Sequence, residues 1–140
     1  MGRGMENFQY IQGDCNKAVR TLAATRLIDD TTPEKRAQIC EAVLDLCSAL
    51  FNVSGHDLRQ ANRCSQGIAR VRQIAMYLCN TTLGVSLTEI GKAICRDRTT
   101  VSHAVQLIKD LRDDAEFDAI MEQVERITRI AFVGEVGRHG

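Results

Sequence analysis

Apolar residues recur at three- and four-residue steps along most of the chain, the spacing of helices that bury one face. No segment alternates apolar and polar residues over the length of a strand. The pattern therefore predicts an all-α fold, a helical bundle. The predicted helices cover about residues 14–27, 33–51, 55–58, 66–82, 87–94, 99–112 and 114–130.

Local signals mark where several of these helices begin. Thr32-Pro33-Glu34 combines an N-cap candidate with proline and an acid in the first turn. Ser86-Leu87-Thr88-Glu89 has the form of a capping box, in which serine and glutamate satisfy each other's backbone donors. Gly84 ends the preceding helix, and Ser54 is suited to cap a short turn.

The periodicity also predicts which side chains face the core. The predicted core positions are Ile39, Ala42, Val43, Leu46, Cys47, Leu50, Ile68, Val71, Ile74, Ala75, Leu78, Cys79, Leu87, Ile90, Ile94, Val101, Ala104, Val105, Ile108, Leu111, Phe117, Ile120, Met121, Val124 and Ile127.

One domain accounts for most of the chain. The expected division is a flexible N-terminal arm at 1–13, an auxiliary helix and linker at 14–32, a helix-turn-helix domain at 33–132 and a flexible tail at 133–140. A homodimer is a candidate assembly, because the auxiliary helix has an apolar strip, formed by Ala18, Leu22, Ala23 and Ile28.

The short helix at 87–94, a turn at 95–98 and the longer helix beginning at Thr99-Thr100 have the outline of a helix-turn-helix. Short polar side chains are predicted to face outward from the second helix: Thr99, Thr100, Ser102, His103, Gln106 and Lys109. Such side chains suit close approach to base edges and phosphates, so the expected partner is double-stranded DNA. Arg96 and Arg98 lie at the helix N-terminus, which favours a phosphate.

Two of these residues have a second interpretation. Asp97 is placed to cap the recognition helix, which is compatible with a base contact. For His103, a role in anchoring the helix is favoured over a phosphate contact. Lys109 is predicted to contact a phosphate, and the only ground for this prediction is its position on the helix.

Charge and composition narrow the function further. The formal net charge is zero, but residues 53–113 hold nine Lys and Arg against five Asp and Glu, a local charge of +4. The sequence has no membrane-length apolar run, no phosphate-binding G-x-x-x-x-G-K-[ST] loop and no C-x-x-C pair among its six cysteines. We therefore expect free thiols and a cytoplasmic, nucleoid-associated protein that uses no metal, cofactor, nucleotide or membrane and is not an enzyme.

Three segments, A-R-V-R-Q at 69–73, S-L-T-E-I-G at 86–91 and R-D-R-T-T-V-S-H-A at 96–104, together resemble the C-terminal DNA-binding domain of the bacterial replication initiator DnaA. The resemblance extends over about residues 34–130 and implies a Trp-repressor-like helical bundle without the initiator's ATPase domain. It also implies sequence-specific DNA binding in the regulation of replication or transcription.

The resemblance assigns roles to individual residues. Arg63 is the nearest match to an arginine that enters the minor groove, and Arg72 with Gln73 matches an Arg-Gln pair that contacts the DNA backbone. Asp97, Thr99 and Thr100 match residues that read the major groove, where threonine methyls can meet thymine methyls.

The chain departs from the family pattern at three places. Arg98 stands where the family has histidine, Ile94-Cys95-Arg96 lacks the family's paired glycines, and the loop at 60–67 is less basic. These departures leave an alternative function open, a protein-interaction module that keeps the fold and has lost most of its DNA affinity.

Overall fold

The protein is a bundle of helices, described by a computed structural model over residues 31–60 and 65–139, with side chains described as far as Phe132. The elements are α1 (Pro33–Phe51), α2 (Gly55–Arg59), α3 (Gln66–Tyr77), a π-helical turn (Leu78–Thr82), α4 (Leu87–Ile94), α5 (Arg98–Leu111) and α6 (Ala115–His139). No strand occurs in these two ranges, so the predicted all-α class is confirmed. The predicted arm, the helix at 14–27 with its apolar strip, and Arg63 lie outside the described residues.

Most helix starts agree with the capping signals. The Thr32 hydroxyl accepts a hydrogen bond from the Lys35 amide at 3.1 Å, and Pro33 occupies the first turn of α1. The Ser54 hydroxyl caps α2 in the same way, as expected, and Ser65, for which no capping role was predicted, caps α3. Each cap satisfies one of the backbone donors that a helix leaves unpaired at its N-terminus, which is why these local signals are read correctly from the sequence.

All six described helices contribute side chains to one core. Helix α3 packs against α5, and α1 packs against both α3 and α4. The largest side chains that are fully buried include Leu44, Leu58, Met76, Leu78, Leu83, Ile90, Ile108 and Met121. The buried faces hold the two helices of the helix-turn-helix against α1 and α3, so that the outward face of α5 is fixed by the core behind it.

Three predicted core positions are wrong. Leu50, Ile120 and Ile127 are exposed. Leu50 lies in the last turn of α1, beyond most of the packed core. On α6 the buried face includes Met121, Val124 and Thr128. This face is narrower than the apolar pattern predicted. The apolar residues on its flank remain in contact with solvent.

The third predicted helix, 66–82, changes character after Tyr77. The Leu83 amide donates to the Leu78 carbonyl, and Asn80 Nδ2 donates to the Val85 carbonyl at 3.0 Å. These bonds close a wider π-helical turn, followed by Gly84 with φ of 79°. The chain thereby turns towards α4, and Gly84 supplies the left-handed conformation that other residues adopt at a cost.

Helix α6 is anchored by a buried cluster of charged side chains. Arg112, in the connection before α6, donates to Asp118, Glu125 and the Tyr77 hydroxyl. Burial lowers the pKa of Arg112, but the hydrogen bond to Asp118 and the charge of Glu125 outweigh it and raise the pKa above its usual value. Burial also raises the pKa of Tyr77. Asp118 is thus the member of the acidic run at 110–118 that pairs with Arg112.

The backbone of α6 continues beyond the expected end near Ile130. It is helical through His139, which includes residues 133–139 of the predicted tail. The helix thus continues through Gly134 and Gly137, because glycine costs a helix interior only about 1 kcal/mol, far less than proline. The boundary between domain and tail at 132 stays a prediction.

Candidate nucleic-acid interface

The turn between α4 and α5 depends on a close approach of two backbones. Gly91 is buried in α4, and its carbonyl accepts a hydrogen bond from the Arg96 amide at 2.8 Å. A Cβ atom at Gly91 would lie 2.6 Å from the Arg96 carbonyl oxygen. Only glycine therefore allows the turn to fold back against α4 at this distance.

Cys95 ends α4 in a left-handed conformation, with φ of 58° and ψ of 51°. Glycine is the usual residue at this position, because a side chain with a Cβ atom is strained there. This is the turn in which the chain lacks the paired glycines of the family pattern. The structure shows where the absence of a glycine matters.

Replacing Cys95 with glycine should therefore stabilise the domain. The relief of strain is worth about 1 kcal/mol, and the gain is offset in part because glycine makes the unfolded chain more flexible. Asn52→Gly is a matched control, since Asn52 has φ of 54° and asparagine tolerates this region. We expect Cys95→Gly to exceed the control by about 1 kcal/mol in urea unfolding. Equal free energies of unfolding would contradict the assignment of strain to Cys95.

The first helix of the motif is fastened to α1 at its N-terminus. The Ser86 hydroxyl accepts from the Glu89 amide at 3.2 Å, which confirms the capping serine. The Glu89 carboxylate accepts from Arg36 Nε at 2.8 Å, and this bond, with the charge of Arg36 and contacts to Ser86, lowers the pKa of Glu89. Arg36 also donates to the Thr31 carbonyl. Helix α4 is thus oriented by α1 as well as by the core.

Helix α5 presents the polar face that its periodicity predicted. Its inward side chains, Val101, Ala104, Val105 and Ile108, are buried, and the outward ones are exposed: Thr99, Thr100, Ser102, His103, Gln106 and Lys109. The prediction that the helix begins at Thr99 is off by one residue, because α5 begins at Arg98. Arg98 is therefore an exposed residue of the first turn and not part of the connection.

Asp97 and His103 differ from the expectations for them. Asp97 occupies the N-cap position, but its side chain makes no capping hydrogen bond. Its exposed carboxylate is left available to a ligand. The side chain of His103 is exposed as well, which does not fit the anchoring role that the sequence favoured.

Two clefts flank the N-terminal half of α5. One, of about 540 Å³, is lined by α4, the turn and the start of α5, including Lys92, Arg98 and Thr100. The other, of about 220 Å³, lies between α3 and α5 and is lined in part by Gln73 and His103. Arg96 and Thr100 line both clefts. The predicted residues of α3 and of the recognition helix therefore lie on one surface.

Sequence reasoning missed two residues on this surface. Thr88 and Lys92 are exposed on α4, four residues apart, and both line the larger cleft. Their four-residue spacing places them on one helix face, opposite the buried Ile90 and Ile94. This outward face of the first helix was a signal that could have identified them.

Arg72 and Arg96, both predicted to contact phosphates, are bonded to the protein itself. Arg72 donates to the carbonyls of Asp57, Leu58 and Gln60, and Arg96 donates to the carbonyls of Gln60 and Cys95. Gln73 is half-buried and its amide oxygen accepts from Arg70 at 3.1 Å.

The basic residues of the region fall into two groups. Arg59 is paired with Glu41 and Asp45, and Arg112 with Asp118 and Glu125, so four carboxylates neutralise these two cations. Within the described ranges, no carboxylate lies at ion-pair distance from the cations on or beside α3, α4 and α5: Arg70, Arg72, Lys92, Arg96, Arg98 and Lys109. The cations without acidic partners are thus concentrated around the recognition helix.

Other kinds of site find no support in the described part of the chain. It contains no group of three or more His, Cys, Asp or Glu side chains arranged to hold a metal ion. None of the described helices has the length and apolar character needed to cross a membrane. Cys40, Cys47 and Cys79 are buried free thiols, as expected, and burial raises the pKa of Cys47 to about 12.

Comparison with known proteins identifies the motif. Residues 40–108, from α1 to α5, match the family described as bacterial dnaA protein helix-turn-helix. This segment of the chain belongs to that family. The match includes α4, the turn and α5 up to Ile108, with Gly91, Cys95 and Arg98 inside it, and confirms the resemblance seen in the sequence.

Known relatives match over 90 to 110 residues of the chain. The chain is 37% identical over 99 residues to the chromosomal replication initiator protein DnaA of Lachnoclostridium phytofermentans, which covers 69% of this chain and 22% of the relative. It is 38% identical over 90 residues to that of Desulfotalea psychrophila, covering 61% and 19%. For Ralstonia nicotianae the identity is 37% over 110 residues, covering 76% and 21%. The chain spans about a fifth of the length of these relatives.

Proposed function

We propose that this chain binds double-stranded DNA in a sequence-specific manner, with α5 in the major groove. The observation that carries the proposal is the outward face of α5. At its N-terminal end this helix exposes Asp97, Arg98, Thr99, Thr100 and His103, and the core packing behind it fixes their orientation. In helix-turn-helix proteins the N-terminal residues of the second helix contact base edges.

The chemistry of these side chains matches what the major groove offers. The threonine methyls suit thymine methyls, and the Asp97 carboxylate, which makes no capping bond, can accept from the amino group of cytosine. Arg98 can bond bidentately to guanine. We assign base contacts to these residues, and propose that Arg98 changes the preferred sequence where the family has histidine.

The remaining residues supply contacts to the DNA backbone. Lys92 lies on α4, the helix that crosses the backbone in this motif, and neither it nor Lys109 has a carboxylate partner in the described structure. Gln73 and His103 lie across the smaller cleft from each other and can reach one phosphate. Arg63 is proposed to enter the minor groove, as the family resemblance implies.

We propose a regulatory role in replication or transcription. The name of the relatives, chromosomal replication initiator protein, points to replication, and a DNA-binding domain acts by occupying its sites. The protein would then be cytoplasmic and nucleoid-associated, and would need neither nucleotide nor cofactor. A homodimer formed through the strip at 18–28 would place two copies on neighbouring half-sites.

Selection from a randomised duplex pool, followed by sequencing and fluorescence anisotropy, tests the proposal. We expect one enriched motif. Arg98→Ala should weaken binding to it by about 1–3 kcal/mol and relax the preference at one position. Thr99→Ala should have a smaller effect at a neighbouring position, because only a methyl contact is lost.

Two variants away from α5 serve as controls. Arg126→Ala removes an exposed arginine of α6, and Thr81→Ala removes a threonine of the π-helical turn. Neither should alter the enriched motif. If no motif is enriched and the wild-type chain binds duplex DNA no better than an unrelated control protein does, the protein-interaction module becomes the supported function.

A further inference from the structure

Two arginines from separate elements bond to the same backbone oxygen. The carbonyl of Gln60, at the end of α2, accepts from Arg72 Nη2 at 3.1 Å and from Arg96 Nη2 at 2.7 Å. Arg72 belongs to α3, and Arg96 to the turn between α4 and α5. The Gln60 carbonyl is thus the point at which α2, α3 and the turn are joined. We refer to this arrangement, Arg72 and Arg96 on Gln60, as the arginine clamp.

Each guanidinium makes further bonds to backbone carbonyls. Arg72 Nε donates to the Leu58 carbonyl at 2.7 Å and Arg72 Nη2 to the Asp57 carbonyl at 3.1 Å. Arg96 Nη1 donates to the Cys95 carbonyl at 3.0 Å. The carbonyls in the last turn of a helix have no partner within it, and α2 is only five residues long. Arg72 therefore supplies donors to the Leu58 and Gln60 carbonyls and adds a second donor to the Asp57 carbonyl, which also accepts from the Gln60 amide.

The geometry requires arginine in particular. Guanidinium is planar and holds its donors in a fixed fork, so one side chain can serve two or three carbonyls at once. Lysine carries the same charge as a single ammonium group and cannot span the same set. Lysine could therefore replace an arginine that contacts a phosphate, but it could not replace an arginine of the clamp.

We propose that Arg72 and Arg96 are positioning residues for DNA binding. The clamp fixes the turn that precedes Asp97 and Arg98, and so orients the N-terminus of α5, while the phosphates are contacted by other side chains. This inference rests on the proposed function and departs from the assignment of both arginines to phosphates from sequence.

The test compares alanine and lysine replacements at both positions. For Arg72→Lys and Arg96→Lys, duplex affinity should fall about tenfold, the equivalent of one charge-assisted hydrogen bond. The alanine variants should lose about as much. The slope of log affinity against log salt should stay within about half a unit of the wild-type slope in all four variants.

A phosphate contact predicts a different pattern. Each alanine variant would then lower the salt slope by about one unit, and each lysine variant would restore both the slope and most of the affinity, since lysine also binds phosphate. That result would overturn the proposal. Arg126→Lys, at an exposed position on α6, is the matched control and should change neither quantity.

Thermal unfolding of the DNA-free protein gives an independent measurement. Because carbonyls lose their donors, both lysine variants should unfold at lower temperature than wild type, whereas Arg126→Lys should not. Should an alanine variant fail to fold, Arg→Gln at the same position removes the charge and keeps one amide donor for the salt measurement. If wild type binds no duplex, the proposed function fails, and lysine variants with wild-type unfolding temperatures would then refute the clamp separately.

Discussion

Replacing Arg112 with leucine is expected to lower the free energy of unfolding by about 3–5 kcal/mol, the cost of breaking a buried ion pair from one side. The side chain of Arg112 is 6% exposed and that of Glu125 is 8% exposed, so the carboxylate would be left inside the protein without its main partner. Arg129 lies 3.6 Å from Glu125 and would be a weaker partner for this carboxylate than Arg112 is. Urea unfolding followed by circular dichroism measures the loss.

Arg59→Leu is the matched control for this prediction. Arg59 also bonds to two carboxylates, but it is 35% exposed and its partners Glu41 and Asp45 are 47% and 70% exposed. Exposed pairs contribute only about 0–1 kcal/mol, so this variant should cost far less. Equal losses in the two variants would show that burial does not decide the strength of the Arg112 cluster.

The double variant Arg112→Leu with Glu125→Leu separates the pair from the packing around it. Replacing both members of a buried pair by apolar residues is often close to neutral, because no charge is left unpaired. We expect the double variant to be more stable than Arg112→Leu alone. The tyrosine hydroxyl of Tyr77 would still lose one donor, so full recovery is not expected.

Gly91→Ala should destabilise the protein and disrupt the helix-turn-helix. The new Cβ atom would lie 2.6 Å from the Arg96 carbonyl oxygen, and backbone atoms cannot rotate away as a side chain can. Overpacking costs about 1–3 kcal/mol or more, and alanine regains about 1 kcal/mol of helix propensity. We expect a net loss of about 2 kcal/mol, seen as a melting temperature lower by roughly 8 °C.

Gly67→Ala provides the opposite case in the same protein. Gly67 lies in the first turn of α3, and the nearest atom to an added Cβ atom is the Ser65 hydroxyl at 3.9 Å. Because the added Cβ atom would meet no close contact, the helix propensity of alanine should raise the free energy of unfolding by up to about 1 kcal/mol. A Gly91→Ala variant as stable as Gly67→Ala would show that the turn can shift to accept a side chain.

The outward face of α5 was predicted residue by residue, and the reason is local. Periodicity within one helix separates inward from outward positions once the buried stripe is recognised, and Val101, Ala104, Val105 and Ile108 form a clear stripe. The capping signals at Thr32 and Ser86 were correct for a related reason, since a capping hydroxyl and the amide that donates to it are only three residues apart.

The arginines could not be assigned in this way. Arg72 is distinguished from a solvent-exposed residue by a set of carbonyls 12 to 15 positions earlier in the chain. Arg96 reaches Gln60 across 36 positions. No pattern within a helix indicates such a partner, so sequence reasoning assigned both cations to the DNA.

Within the described residues, the sequence by itself determined the helices, most of their starting residues, the polar face of α5 and the motifs that identify the DnaA helix-turn-helix, because each depends on neighbours within a few positions. Only the tertiary structure decided which apolar residues of α6 are buried, how closely Gly91 approaches the turn, and which arginines are held by the protein. These features depend on atoms brought together from distant parts of the chain, and their geometry exists only once the core has packed. Arg98 belongs to both groups: the sequence singled it out, and the fold places it exposed in the first turn of α5.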